Sequence, residues 1–176
     1  MNDGSPPAAV SLVRRVLLAS ALLCSCVMAA DSSLFPLKLE RVDRAGGALV
    51  EPGAAALHLV FFATWCPPCV AELPALADLE ARFGSSGYRL ILVAVPVRQT
   101  KERLTNFLKD TKPPGELLFD STGSAQDSLG VDRLPGHVLV GATGAVLYRS
   151  ASLDDAFRTE IEKALAGTRT HGGVRR

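Results

Sequence analysis

Phe61-Phe62-Ala63-Thr64-Trp65-Cys66-Pro67-Pro68-Cys69-Val70-Ala71-Glu72-Leu73-Pro74 is the stretch on which the reading of this chain turns. The run that leads into it, Leu57 to Ala63, is apolar on both faces except for His58. A continuous apolar run of that length marks an interior strand of a parallel or mixed sheet, because such a strand is covered on both sides. From Pro67 onward the pattern changes. Val70, Leu73, Leu76, Ala77, Leu79 and Phe83 fall at three- and four-residue steps, and Gly84 offers a stop, which predicts a helix. Pro67 suits a first helical position, where its missing N–H would be unpaired anyway. Pro74 sits inside the helix, removes the bond to the Val70 carbonyl and predicts a kink. The strand thus delivers a Cys-x-x-Cys pair to a helix N-terminus, and two cysteines one turn apart can exist as a dithiol or a disulfide.

A thiol with an ordinary pKa of about 8.5 is mostly protonated at neutral pH and attacks disulfides slowly. At the helix N-terminus the backbone dipole and unpaired N–H groups favour a thiolate on Cys66. The N–H of Cys69 is expected to donate to that sulfur, since Pro67 and Pro68 have none to give. Cys66 is therefore assigned as the attacking sulfur and Cys69, one turn further in and shielded, as the resolving one. Trp65 is expected to cover the site. Zinc is the competing use of a Cys-x-x-Cys pair, but a structural zinc site takes four ligands. His58, His137 and His171 are too scattered to complete one, so no metal and no cofactor is assigned.

Working outward, Leu34 to Arg41 alternates loosely and predicts a short, half-exposed edge strand. The turns at Arg44–Gly47 and Glu51–Gly53 flank a small hairpin. Tyr88 to Val95 is a second interior strand, and Thr100 caps an amphipathic helix to Lys109 with Leu104, Phe107 and Leu108 inward. Leu117–Phe119 is a short strand and Gly123–Leu129 a short helix. His137–Val140 and Ala145–Tyr148 pair as a hairpin through Gly141–Gly144, and Leu153–Ala166 is a last helix with Phe157, Ile161, Ala164 and Leu165 on one face. The order predicts one α/β layer sandwich with parallel strands in the middle and an antiparallel hairpin at one edge. There is no internal repeat and no linker long enough to separate two domains.

Residues 1–30 stand apart from that domain. A polar start leads to Arg14-Arg15 and then to a charge-free run from Val16 to Ala30 that ends in small residues, the pattern of a secretory signal peptide. An uncleaved N-terminal membrane anchor is the alternative, although the run is short of the ~20 apolar residues a span takes. Arg14-Arg15 faintly resembles a twin-arginine signal. Leu23-Cys24-Ser25-Cys26 faintly resembles a lipoprotein box; the plainer reading makes both cysteines small apolar fillers. Only Cys66 and Cys69 are then left to act in the mature domain, residues 31–167, and one pair suits a redox centre better than a disulfide-stapled scaffold. Thr168–Arg176 reads as a flexible basic tail. The chain carries 19 Lys+Arg against 18 Asp+Glu, and without Asp3, Arg14 and Arg15 the balance is 17 of each sign. That balance gives no electrostatic grip on nucleic acid or on an anionic membrane surface.

Phe-Phe-Ala-Thr-Trp-Cys-Pro-Pro-Cys followed by Glu72 and Pro74 resembles the exported thioredoxin-like proteins of the TlpA, ResA and DsbE group, over most of Leu34 to Ala166. The resemblance implies a thioredoxin-like fold with a central mixed sheet flanked by helices. It also implies a cis-proline facing the dithiol, at Pro135 in Val131-Asp132-Arg133-Leu134-Pro135-Gly136. Leu134 would offer its backbone to an extended substrate peptide, beside Trp65, Pro67 and Pro68 as substrate contacts. Pro135 lies 66 positions after Cys69, more than in a minimal thioredoxin, which implies an insertion within 97–122. A minimal thioredoxin keeps a buried acid where this chain has Val60, so Glu72 is the remaining local candidate for proton transfer, as a buried carboxylate with raised pKa. Gly136-His137 follows Pro135 where the family often has a threonine-containing pair. The usual role of such a histidine is to start a strand.

The function implied is an exported, periplasmic thiol–disulfide oxidoreductase. Its substrates would be protein thiols, with apocytochrome c as the class the resemblance suggests and a membrane thiol-electron donor as the source of electrons. The alternative is a copper-binding module in which the same dithiol, helped by His137, holds Cu(I). Peroxidase chemistry is disfavoured because Thr64 and Cys66 are too close. Direction of electron flow is not written in the motif, since potentials within this fold span roughly −270 to −120 mV.

Overall fold

The computed structural model describes residues 34–171, with side-chain environments through 167; the N-terminal segment 1–30 and the end of the basic tail lie outside the described residues. The elements are β1 (Leu37–Arg41), β2 (Gly47–Val50), β3 (Ala56–Phe62), α1 (Pro67–Ala71), α2 (Leu73–Phe83), β4 (Tyr88–Ala94), α3 (Lys101–Asp110), β5 (Glu116–Phe119), α4 (Ser124–Ser128), β6 (Gly136–Gly141), β7 (Val146–Ser150) and α5 (Asp155–His171). Seven strands form one mixed sheet in the order β2-β1-β5-β4-β3-β6-β7. The expected α/β layer sandwich is present.

β3 lies at the centre. All seven of its residues are buried, as its apolar run required. It pairs in parallel with β4 and antiparallel with β6. β4 continues in parallel to β5, and β6–β7 is the expected hairpin edge. The register sets Val60 opposite His137 and His58 opposite Leu139, while Ala56 pairs with Tyr88 and His58 with Leu90. His58, Val60, His137 and Tyr88 therefore share one face of the sheet. That face is covered by α2 and α5: Phe83 meets Tyr88, Phe157 meets His58 and His137, and Arg82 on α2 bonds Glu162 on α5.

Three expectations change. β1 is not an edge strand, because β5 pairs with it through Glu40–Phe119 and Arg41–Leu118 and leaves β2 at the edge. The helix after Cys66 does not merely kink: it divides at Glu72, with Pro74 in the first turn of α2, where a missing N–H costs nothing. The last helix starts later and runs on to His171, into the stretch expected as tail. The segment 97–122 carries α3 and β5, the helix and short strand expected there, with β5 parallel to β4. Thr100 caps α3 as expected, its hydroxyl accepting from the Arg103 N–H. Among the described residues two X–Pro peptides are cis, Leu134–Pro135 as the resemblance implied and Phe35–Pro36, which nothing in the sequence singles out.

Candidate active site

The end of β3 turns sharply: Cys66 N–H donates to the Ala63 carbonyl, and Pro67 opens α1 immediately afterwards. The turn brings Cys66 and Cys69 within 5.3 Å between Cα atoms, and their sulfurs are joined in a disulfide. Both cysteines are nearly buried, at 5% and 3% exposure, so exposure does not separate an attacking from a resolving sulfur. The expected N–H bond from Cys69 to the Cys66 sulfur is not formed, since Cys66 makes no side-chain capping bond. Its sulfur is bonded to Cys69 instead.

The opposite wall comes from the β6 side. Gly136 is paired with Phe61 at the end of β3, which puts Leu134 and cis-Pro135 at the same end of the sheet as Thr64–Cys66. Gly136 cannot be larger without movement: a Cβ there would lie 2.4 Å from Val131 Cγ1 and 3.1 Å from the Arg133 carbonyl. A cavity of about 300 Å³ opens beside this loop, between Val131, Arg133, Gly136 and Arg149.

Trp65 is partly exposed at the rim. Its indole N–H donates to the Val97 carbonyl at 2.8 Å, and the Arg98 guanidinium lies 5.3 Å from its ring centre. Arg98 holds a left-handed backbone, φ 53°, and the buried Gln99 side chain bonds the Thr64 amide and hydroxyl. This loop from β4 fixes the approach to the cysteines. The sequence reading passed over Gln99, whose signal was a polar residue just past the end of an interior strand.

The largest departure concerns Glu72. Burial by itself would raise its pKa, but a hydrogen bond with His137, the charge of His137, the Leu153 N–H and the charge of Arg158 together outweigh burial. They hold the carboxyl below its ordinary 4.5. The raised pKa expected of this residue is therefore corrected to a lowered one. Glu72 Oε2 lies 2.9 Å from His137 Nε2, and Oε1 accepts from the Leu153 N–H at 3.2 Å. His137 Nδ1 lies 3.0 Å from His58 Nε2, and His58 Nδ1 lies 2.8 Å from the Tyr88 hydroxyl. Both histidines are fully buried. His137 does more than begin a strand, and with both ring nitrogens engaged neither is left to join the dithiol around a copper ion. Among the described residues no group of three or more His, Cys, Asp or Glu is placed to hold a metal, and no helix is long and apolar enough to cross a membrane.

These environments predict an acid-sensitive fold. Burial first, and the charge of His137 second, hold His58 well below its ordinary 6.5. Below pH 6.5 the unfolded chain therefore takes a proton that the native state refuses. The stabilisation is complete above 6.5 and is lost as pH falls, by at most about 1.4 kcal/mol per pH unit for one proton. Glu72 adds a second loss beginning near 4.5 and complete below its lowered native value. Urea denaturation followed from pH 8 to 4 is expected to show the decline starting near 6.5, and His58→Phe is expected to remove its upper part. A wild-type profile flat down to pH 5 would contradict this.

The redoxin family model matches residues 52–165. A thiol:disulfide interchange protein DsbE homolog of Paracoccus denitrificans is 29% identical over 156 residues, covering 85% of this chain and 80% of that protein. The thiol:disulfide interchange protein CycY of Rhizobium leguminosarum is 34% identical over 111 residues, which are 59% of this chain and 57% of CycY. The chain thus aligns with little more than half of that second relative. The crystal structure of a thiol:disulfide interchange protein DsbE from Chlorobium tepidum superposes with a TM-score of 0.64, covering 73% of this chain and 92% of that one. At 22% identity, this last likeness bears on the fold alone, which is thioredoxin-like.

Proposed function

The chain belongs to the redoxin family, and from that premise we propose that it is an exported thiol:disulfide oxidoreductase that reduces protein disulfides through Cys66 and Cys69. The observation that carries this reading is a cysteine pair linked as a disulfide at the turn between the central strand and α1. The cis Leu134–Pro135 peptide closes the same end of the sheet. An extended substrate peptide would pair with the Leu134 backbone, as in strand addition, with Trp65, Pro67, Pro68 and Pro135 around it.

In this reading the Cys66 thiolate attacks a substrate disulfide. The Cys66–substrate bond forms and one substrate thiolate leaves. Glu72 then takes the proton of Cys69. The Cys69 thiolate attacks Cys66, the Cys66–Cys69 bond forms, and the second substrate sulfur leaves with the electron pair and takes up a proton. Two electrons have passed from dithiol to substrate, and the protein is left in the state seen here. The substrate class suggested by the resemblance is apocytochrome c, and a membrane thiol donor would restore the dithiol, since an oxidising compartment supplies no reductant of its own. The leader-like residues 1–30 support export, with either cleavage or an N-terminal tether.

Equilibration with glutathione buffers tests the direction. A reductant is expected to poise nearer the ~−270 mV of thioredoxin than the ~−120 mV of a strong oxidant. A value at the oxidising end would reverse the assigned electron flow.

A further inference from the structure

Two histidines buried in the core need a reason. Neither is left short of partners, and among the described residues no buried side-chain nitrogen or oxygen lacks one. Yet apolar residues of similar shape would serve packing about as well, since replacing a satisfied buried polar pair by apolar groups is often close to neutral. What the histidines provide is a continuous line of hydrogen-bonding groups. It starts at Tyr88 on β4, passes through His58 on β3 and His137 on β6, and ends at Glu72 between α1 and α2.

The Glu72 end and a singly protonated His137 together set its direction. An ionised carboxylate can only accept, so His137 Nε2–H donates to Glu72. When His137 carries one proton, that leaves a bare Nδ1, which accepts from His58 Nε2–H, and the bare Nδ1 of His58 accepts from the Tyr88 hydroxyl. In that protonation state every link runs one way: Tyr88 gives to His58, His58 to His137, His137 to Glu72. A proton placed on Glu72 Oε2 would face an N–H, and restoring the bond would require both imidazoles to change tautomer and Tyr88 to become an acceptor. We propose that His137, His58 and Tyr88 are positioning residues for the exchange reaction, a one-way line of donors that holds Glu72 ionised, in the form that accepts the Cys69 proton.

This rests on the reading of Glu72 as the proton handler given above, and it adds a direction to it. With donors on both oxygens, Glu72 stays ionised further into acid, so the form that can accept the Cys69 proton persists to lower pH, and with it closure of the Cys66–Cys69 bond, the step that releases reduced substrate. The shifts in the group agree: burial keeps His58 neutral, and burial and then the charge of Glu80 raise Tyr88 far above its ordinary value, so its hydroxyl stays a donor. The other charges facing the line are Glu80 on α2, toward Tyr88, and Arg158 on α5, toward both Glu72 and Tyr88; neither interrupts it.

The first test needs no variant. Long-range 15N–1H correlation spectra at pH 7 are expected to show the proton of both His58 and His137 on Nε2. A proton on Nδ1 of His58 would overturn the proposal. The second follows the acid limb of the single-turnover rate at which Cys69 resolves a Cys66 mixed disulfide. His137→Leu is expected to move that limb up by about one pH unit, with smaller shifts in the same direction for His58→Phe and Tyr88→Phe. His137→Gln, which keeps an N–H donor, is expected to restore most of it. Tyr88→Phe deletes a single oxygen and remains informative should a histidine variant fail to fold. If Glu72→Gln resolves the mixed disulfide at the wild-type rate, the reading of Glu72 fails and the proposal with it. If Glu72→Gln is slow while the limb stays unmoved in all three relay variants, Glu72 stands and the relay falls.

Discussion

Replacement of Cys66 by serine is expected to bring the reduction of insulin disulfides down to the rate of the uncatalysed mixture. The attacking group in exchange is a thiolate, and reactivity follows the thiolate fraction and sulfur nucleophilicity. A serine hydroxyl stays protonated at neutral pH and opens no disulfide. Cys69→Ser is expected to differ in kind. Its Cys66 still attacks, so one turnover begins, but nothing resolves the product and the protein stalls as a mixed disulfide. The distinction matters because the two cysteines are about equally buried and residue exposure does not rank them. A Cys66→Ser protein that keeps more than about a tenth of wild-type turnover would contradict the assignment.

The largest stability effect is expected at Phe157. Its side chain is fully buried in α5 and packs at ring-centre distances of 4.6 Å from His58, 5.4 Å from His137 and 5.7 Å from Tyr148. Phe157→Ala removes that contact and leaves a cavity against a sheet too tightly paired to close over it, a loss of about 3–5 kcal/mol. Against a total stability of about 5–15 kcal/mol, the variant stands near the limit of folding. It also opens the histidines to water, so whatever protein remains folded should lose the protection of His58 from protonation. Leu147→Ala on the exposed side of β7 is the control, with a change within about 0.5 kcal/mol. Urea unfolding measures both. A cost below about 1 kcal/mol for Phe157→Ala would mean that α5 does not seat as described.

Much of the architecture was legible because the signals were local. The apolar run at β3, the three- and four-residue steps after Pro67, the Thr100 cap and the glycine turn of the β6–β7 hairpin each announce one element. The position of β1 was not, since an alternating strand of five residues says nothing about its neighbours. β5, whose short pairing covers it, lies far along the chain at Glu116–Phe119. The site divides in the same way. The cysteines and cis-Pro135 could be named from the motif and the resemblance. Glu72 could be named as the remaining acid, but the sign of its shift could not, because it depends on His137, 65 positions away. His58 and His137 are 79 positions apart and meet only through the β3–β6 register. A slip of one residue would send them to opposite faces. The clue was there as a histidine in an otherwise apolar strand, and its meaning was a matter of pairing.

The central claim is that Cys66 forms the bond to substrate and Cys69 breaks it. Capture of a disulfide-bearing protein substrate, followed by mapping of the adduct by mass spectrometry of non-reduced peptides, tests it most directly. The predicted result is a stable adduct on Cys66 in Cys69→Ser, no adduct in Cys66→Ser, and none accumulating in wild type. An adduct on Cys69 in Cys66→Ser, formed as fast as the one on Cys66 in Cys69→Ser, would contradict it.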